Sequence, residues 1–158
     1  MVKQECFTEA LLEGTREVFE TMMFMTVEES DDSQGQITGH AFLGSITFKG
    51  SIEGCVSICC GQACAEIVAR NMLAMEPDEE ISEDEIEDAI GEVANMVMGA
   101  VKAKIMDAVG DVQVSIPSVV SGTELESSLK DCTDEVFLNV KLDEEAAQLS
   151  FLYRDSSE

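Results

Sequence analysis

Residues 85–105, EIEDAIGEVANMVMGAVKAKI, form the longest clean helical pattern in the chain and constrain the rest of it most. Apolar residues fall at Ile86, Ile90, Val93, Val97, Val101 and Ile105. Steps of three and four residues place them on one face of a 3.6-period helix. At about 100° per residue, Asp88, Glu92, Asn95 and Gly99 gather into a second stripe, nearly opposite the first. Asn has poor helix propensity, and Gly costs about 1 kcal/mol relative to Ala. A face built only for solubility would use Glu, Lys or Ala, so this stripe asks for another reason.

The remaining elements follow from changes of period. Residues 5–25 predict a first helix, with Phe7, Leu11, Val18, Met22 and Met25 on its apolar face. Gly14 lies among them, where a missing side chain permits close packing. The acidic residues 28–35, EESDDSQG, read as a loop. Residues 37–60 predict a β-hairpin turning near Lys49 and Gly50, and residues 61–75 a second helix. Ser82 followed by Glu85 has capping-box spacing at the start of the long helix. Val112, Val114 and Ile116 alternate with polar residues before Pro117, which predicts a short strand and then a loop. Residues 136–142 and 147–153 predict a closing hairpin, and 153–158 a frayed tail. The order α-β-β-α-α-β-β-β implies an α+β fold, long helices packed on a largely antiparallel sheet.

Shifting the first helix by 75 residues superimposes it on the long one. Leu11 meets Ile86, Gly14 meets Ala89, Val18 meets Val93 and Met22 meets Val97. On the polar side Glu13 meets Asp88, Glu17 meets Glu92, and Glu20 meets Asn95. An internal pseudo-repeat is expected, with Glu20 standing where the later copy has Asn.

The 158 residues suit a single domain with a substantial core. A net charge of −24 argues against nucleic acid or an anionic membrane surface as partner, since each requires a basic footprint. The polar, acidic N-terminus gives no expectation of a secretory signal. Cys6, Cys55, Cys59, Cys60, Cys64 and Cys132 lack disulfide-framework or metal-ligand spacing. They read as free buried thiols in a reducing cytoplasm and not as disulfides.

Glu92 and Asn95 are neighbours on one helix face. The carboxylate can accept hydrogen bonds or pair with a lysine, and the carboxamide can donate and accept at once, which suits it to orienting a water. Neither is a strong nucleophile, and nothing around His40, the one histidine, completes a catalytic triad. A solvated face with an incidental Asn is the plain alternative. Otherwise a site made of this pair needs the rest of its chemistry from elsewhere, such as a partner carrying its own metal and reactive group.

The pattern Asp88-x-x-x-Glu92-x-x-Asn95, with Pro117 downstream, resembles the signature of the CheC/CheX/FliY family of bacterial chemotaxis phosphatases. The element order and the paired helices resemble that family too. With the Glu/Asn pair only in the later helix, the chain is most similar to the CheX type. The 21 residues between Asn95 and Pro117 are about one fewer than the resemblance leads one to expect. The resemblance implies hydrolysis of the aspartyl-phosphate of a CheY-like receiver domain, which would supply the phosphoryl group, Mg2+ and a lysine. It implies that Glu92 pairs with that lysine and Asn95 positions the attacking water. Asp88, Met96 and Gly99 would be contact surface. It further implies a cytoplasmic homodimer that binds no cofactor of its own. The alternative is a module that binds a receiver or a flagellar switch component without catalysis.

Overall fold

The computed structural model describes residues 4–30, 37, 39–123 and 134–155. In chain order the elements are α1 (Gln4–Val18), β1 (Val27–Ser30), β2 (Ala41–Lys49), β3 (Ile52–Gly61), α2 (Gln62–Met72), α3 (Glu83–Val109), β4 (Gln113–Val114), β5 (Ser118–Gly122), β6 (Asp134–Leu142) and β7 (Glu145–Asp155). The α+β expectation holds. Every strand pairing is antiparallel, and the sheet runs β1-β6-β7-β3-β2-β4, with β5 also on β2. Among the described residues no helix is long and apolar enough to cross a membrane.

The helix α3 is the central support. Its capping box is complete: the Glu85 amide donates to Ser82 Oγ at 3.2 Å, and the Ser82 amide donates to Glu85 Oε1 at 3.1 Å. Glu83, Asp84 and Glu85 fill the first turn, where the helix dipole favours negative charge. Ile86, Ile90, Val93, Val97, Val101 and Ile105 are all buried, as the spacing predicts. The helix packs against α1, α2, β2, β3 and β5. Gly44, in the middle of β2, lets the helix approach the sheet: a Cβ there would stand 2.9 Å from Ile90 Cγ2 and 3.2 Å from the Ile90 carbonyl. Gly14 does the same for α1, since a Cβ would lie 3.2 Å from Val101 Cγ2. The far end of α1 is pinned to the sheet by Phe7, stacked on Phe151 at 4.7 Å and edge-on to Tyr153 at 4.6 Å.

Several expectations are corrected. The first helix does not run as a regular α-helix to residue 25. A π turn at Phe19–Met23 continues α1, and Phe24 ends it in a left-handed conformation, φ 56°. The wider turn inserts one residue into the helical count. Phe19 and Met23 therefore enter the core, while Met22, expected there, is 52% exposed. The pseudo-repeat holds in burial for Leu11, Gly14 and Val18 and fails at Met22. The stretch read as an acidic loop opens with β1, whose Glu28 and Glu29 pair with Lys141 and Val140 of β6. An edge strand can be stabilised by backbone pairing with little apolar content, and charges on it discourage further pairing. The loop expected after Pro117 contains β5. The supposed frayed tail is strand as far as Asp155, and Arg154 Nε donates to Glu53 Oε1 at 2.6 Å. The two predicted hairpins, β2–β3 and β6–β7, are both present, the second turning at Asp143 with φ 56°.

The Gly44 approach predicts that Gly44→Val overpacks the seat of α3. The expected cost is about 1–3 kcal/mol. In a chain of this size that lowers the thermal midpoint by several degrees. An unchanged midpoint in a thermal melt would show that α3 is not held where it is by this contact.

Candidate functional site

Anchoring one face of α3 determines what its other face can do. Asp88, Glu92, Asn95 and Gly99 are all exposed. They form a strip about 16 Å long at 1.5 Å rise per residue. Met96, beside Asn95, is half-buried and packs against the edge of the core. Among the described residues no side-chain hydrogen bond or ion pair engages Asp88, Glu92 or Asn95. The backbone beneath them is rigid, while the polar groups themselves are uncommitted. A Cβ at Gly99 would meet nothing within 4 Å. Among the described residues nothing requires glycine there, and the open space serves no packing between them.

The structure also places Pro117 at the site. A Cβ at Gly91 would lie 3.9 Å from both Cβ and Cγ of Pro117, and 3.3 Å from Val119 Cγ2. Pro117 thus lies against the turn of α3 that carries Glu92. Gly91 and Val119 were not singled out from sequence. A second glycine inside α3 was the signal available, and Gly91 is buried where Gly99 is open.

The equivalent surface of α1 differs. Glu13, Glu17 and Glu20 are exposed, as the pseudo-repeat predicts. Glu17, however, is held by Lys104 of α3 at 3.0 Å. Glu20, opposite Asn95 in the repeat, lies in the π turn and not on a regular helix. The later copy alone presents an uncommitted carboxylate and carboxamide side by side.

Among the described residues the cysteines form no competing centre. Cys6, Cys55, Cys59, Cys60 and Cys64 form no disulfide, and all but Cys6 are buried; Cys132 lies outside the described residues. The hydrogen bond with Cys64, and then burial, hold the Cys60 thiol well above its ordinary value. Burial, and then the neighbouring Cys64, push Cys59 up. Such thiols are protonated at neutral pH and poor nucleophiles. The described residues contain no group of three or more His, Cys, Asp and Glu that could hold a metal ion. His40 bonds Glu83 Oε1 at 3.0 Å and stands edge-on to Phe42.

Comparison with known proteins adds an independent line. The sequence model of the family described as chemotaxis phosphatase CheX matches residues 42–141. No curated protein matches the chain. Among solved structures, the chemotaxis protein CheX of Vibrio vulnificus superimposes with a TM-score of 0.77 at 22% identity, covering 94% of this chain and 96% of that one. CheX of Desulfovibrio desulfuricans gives 0.77 at 19% identity, covering 94% and 99%. A chain of the CheX–CheY–BeF3–Mg2+ complex of Borrelia burgdorferi gives 0.73 at 18% identity, covering 94% and 98%. At these identities the structural likeness establishes the fold.

The open space at Gly99 predicts that Gly99→Ala stabilises the protein. Ala removes a helix-propensity penalty of about 1 kcal/mol and meets no neighbour. The urea midpoint should rise with an unchanged slope. A fall would show that the glycine is needed by the fold itself.

Proposed function

Because the chain belongs to the chemotaxis phosphatase CheX family, we propose that it hydrolyses the aspartyl-phosphate of a CheY-like receiver domain by inserting the Glu92–Asn95 face of α3 into the receiver's active site. The observation that carries this reading is the pair itself: exposed, adjacent and uncommitted on a helix whose other face is locked in the core. The complex of the similar Borrelia protein with CheY, BeF3 and Mg2+ supports a receiver as the partner. Such a partner would place the chain in the cytoplasm. A homodimer, implied by the family resemblance, is the assembly in which the chain would act.

In this reading the receiver brings the phosphoryl group, a lysine and Mg2+, which neutralises charge on the phosphoryl oxygens. Glu92 accepts from the lysine ammonium and fixes the docked orientation, a charge-assisted contact that strengthens as water is excluded. Asn95 reaches the phosphoryl group beside it. Its carbonyl oxygen accepts from a water while its amide N–H donates to a phosphoryl oxygen. The water oxygen bonds to phosphorus as the bond from phosphorus to the aspartyl oxygen breaks. Inorganic phosphate leaves as H2PO4−, carrying the water's oxygen and both of its hydrogens, and the aspartate carboxylate is regenerated. Little covalent work falls to the protein in a loose phosphoryl-transfer transition state, so placement supplies most of the acceleration. Asp88, Met96 and Gly99 complete the contact. Gly99 admits the receiver's surface close to the helix, and Met96 offers an adaptable apolar patch.

The test is phosphate loss from a phosphorylated receiver, followed with and without this protein. Asn95→Ala should slow the accelerated rate about 100-fold or more, while affinity for the beryllofluoride-charged receiver stays within about threefold. Full rate in that variant contradicts the catalytic role. Glu92→Lys should weaken binding at least about tenfold, since it sets like charges together. Intact affinity there contradicts the lysine pairing. Wild-type protein that binds the receiver yet leaves its phosphate loss unassisted would be a non-catalytic docking module.

A further inference from the structure

The segment that carries Pro117 contains a device of its own. On the β2 side Ser45 pairs with Ser118 and Phe48 with Val114. Two residues of β2, Ile46 and Thr47, therefore face three residues, Ser115, Ile116 and Pro117. One extra residue in one strand is a β-bulge, and bulges bend an edge strand and re-aim a side chain. Proline is tolerated here because the bulge leaves a backbone N–H without a ladder partner. The side chain re-aimed is that of Ile116, 87% exposed, as far into solvent as any large apolar residue among the described residues. Of the expected alternating set, Val112 is buried, Val114 is already 37% exposed at the sheet edge, and the bulge turns Ile116 out.

Ile116 is held out firmly. On one side the Ser115 amide donates to the Thr47 carbonyl at 2.9 Å and Ser115 Oγ accepts from the Thr47 amide at 3.0 Å. The same hydroxyl donates to the carbonyl of Ile116 at 3.0 Å. On the other side Pro117 rests against Gly91, the residue before Glu92. One peptide step, about 3.8 Å, separates Ile116 from that contact. With the backbone held at both flanks, covering this apolar β-branched side chain costs only its own rotamer freedom. A standard interface covers about 800 Å² on each partner. One centred on Glu92 and Asn95 would reach the bulge.

We propose that Ile116 is an apolar anchor for the receiver domain, seated beside the Glu92–Asn95 face and contributing affinity without taking part in hydrolysis. The proposal rests on the receiver-phosphatase reading above. The occupant is a receiver because the bulge is continuous, through Pro117 and Gly91, with the face offered to it. The kind of surface it fits is an apolar patch on the receiver beside the phosphorylated aspartate.

The experiment uses the full chain and a receiver whose phosphate loss it accelerates, charged with beryllofluoride and Mg2+ for binding and phosphorylated for kinetics. Ile116→Ser should raise both Kd and KM about tenfold, equivalent to about 1.4 kcal/mol, with kcat retained. Ile116→Val should remain near wild type. At this exposure neither change threatens the fold. If Ile116→Ser binds normally while Asn95→Ala has lost its rate, the anchor is refuted and the phosphatase reading stands. If Asn95→Ala keeps full rate, the catalytic reading of that face falls, whereas the anchor, which concerns affinity, is refuted by Ile116→Ser binding normally. If Ile116→Ser instead converts a wild-type dimer to monomers in sedimentation, the bulge is a contact between copies of the chain and the proposal is overturned.

Discussion

The seat of α3 on β2 is the contact on which the rest of the structure depends. Gly44 removes one side chain from the middle of the sheet, and the Ile90 turn of the helix descends into the space. That approach buries the whole apolar stripe from Ile86 to Ile105. It brings α1 against α3 at Gly14 and Val101. It also fixes the rotation of the helix, and with it the direction of the polar stripe. The affinity and positioning of a site built from two side chains depend on how rigidly their shared backbone is held. In this protein that rigidity comes from packing on the far side of the helix.

The two helices α1 and α3 share part of a burial pattern and differ in what they expose. On α3 the carboxylate and carboxamide are uncommitted. On α1 the matching carboxylate is occupied by Lys104, and the Asn position is Glu20 in a π turn. An exposed ion pair of this kind contributes at most about 1 kcal/mol. Its consequence is chemical more than energetic: Glu17 already has a lysine. The π turn reinforces the difference, because it changes which residues of the α1 end face the core and which face water.

Much of this was legible in the sequence where it depended on local periodicity. The capping box at Ser82 and Glu85, the buried stripe of α3, the close packing at Gly14 and both hairpins follow from spacing alone. So did the exposed strip of Asp88, Glu92, Asn95 and Gly99, because helical geometry groups them without knowledge of any neighbour. What was missed depends on partners distant in sequence. The strand β1 owes its conformation to β6, since its own acidic residues carry no strand pattern. The π turn trades Met22 for Met23, a choice between two equally apolar neighbours. The bulge at residues 115–117 exists only relative to β2, and the contact of Pro117 with Gly91 only once α3 lies beside β5. Proline was noticed in the sequence; the reason it matters locally was not visible there.

The central claim is that α3 is an inserting element, completed by an active site that another protein brings. The most direct measurement is a co-crystal structure of this chain with a CheY-like receiver charged with beryllofluoride and Mg2+. The account predicts the Asn95 carboxamide within hydrogen-bonding distance of the beryllofluoride or its adjacent water, and the Glu92 carboxylate against the receiver's lysine. A receiver docked on any other face, with Asn95 left in solvent, would contradict it.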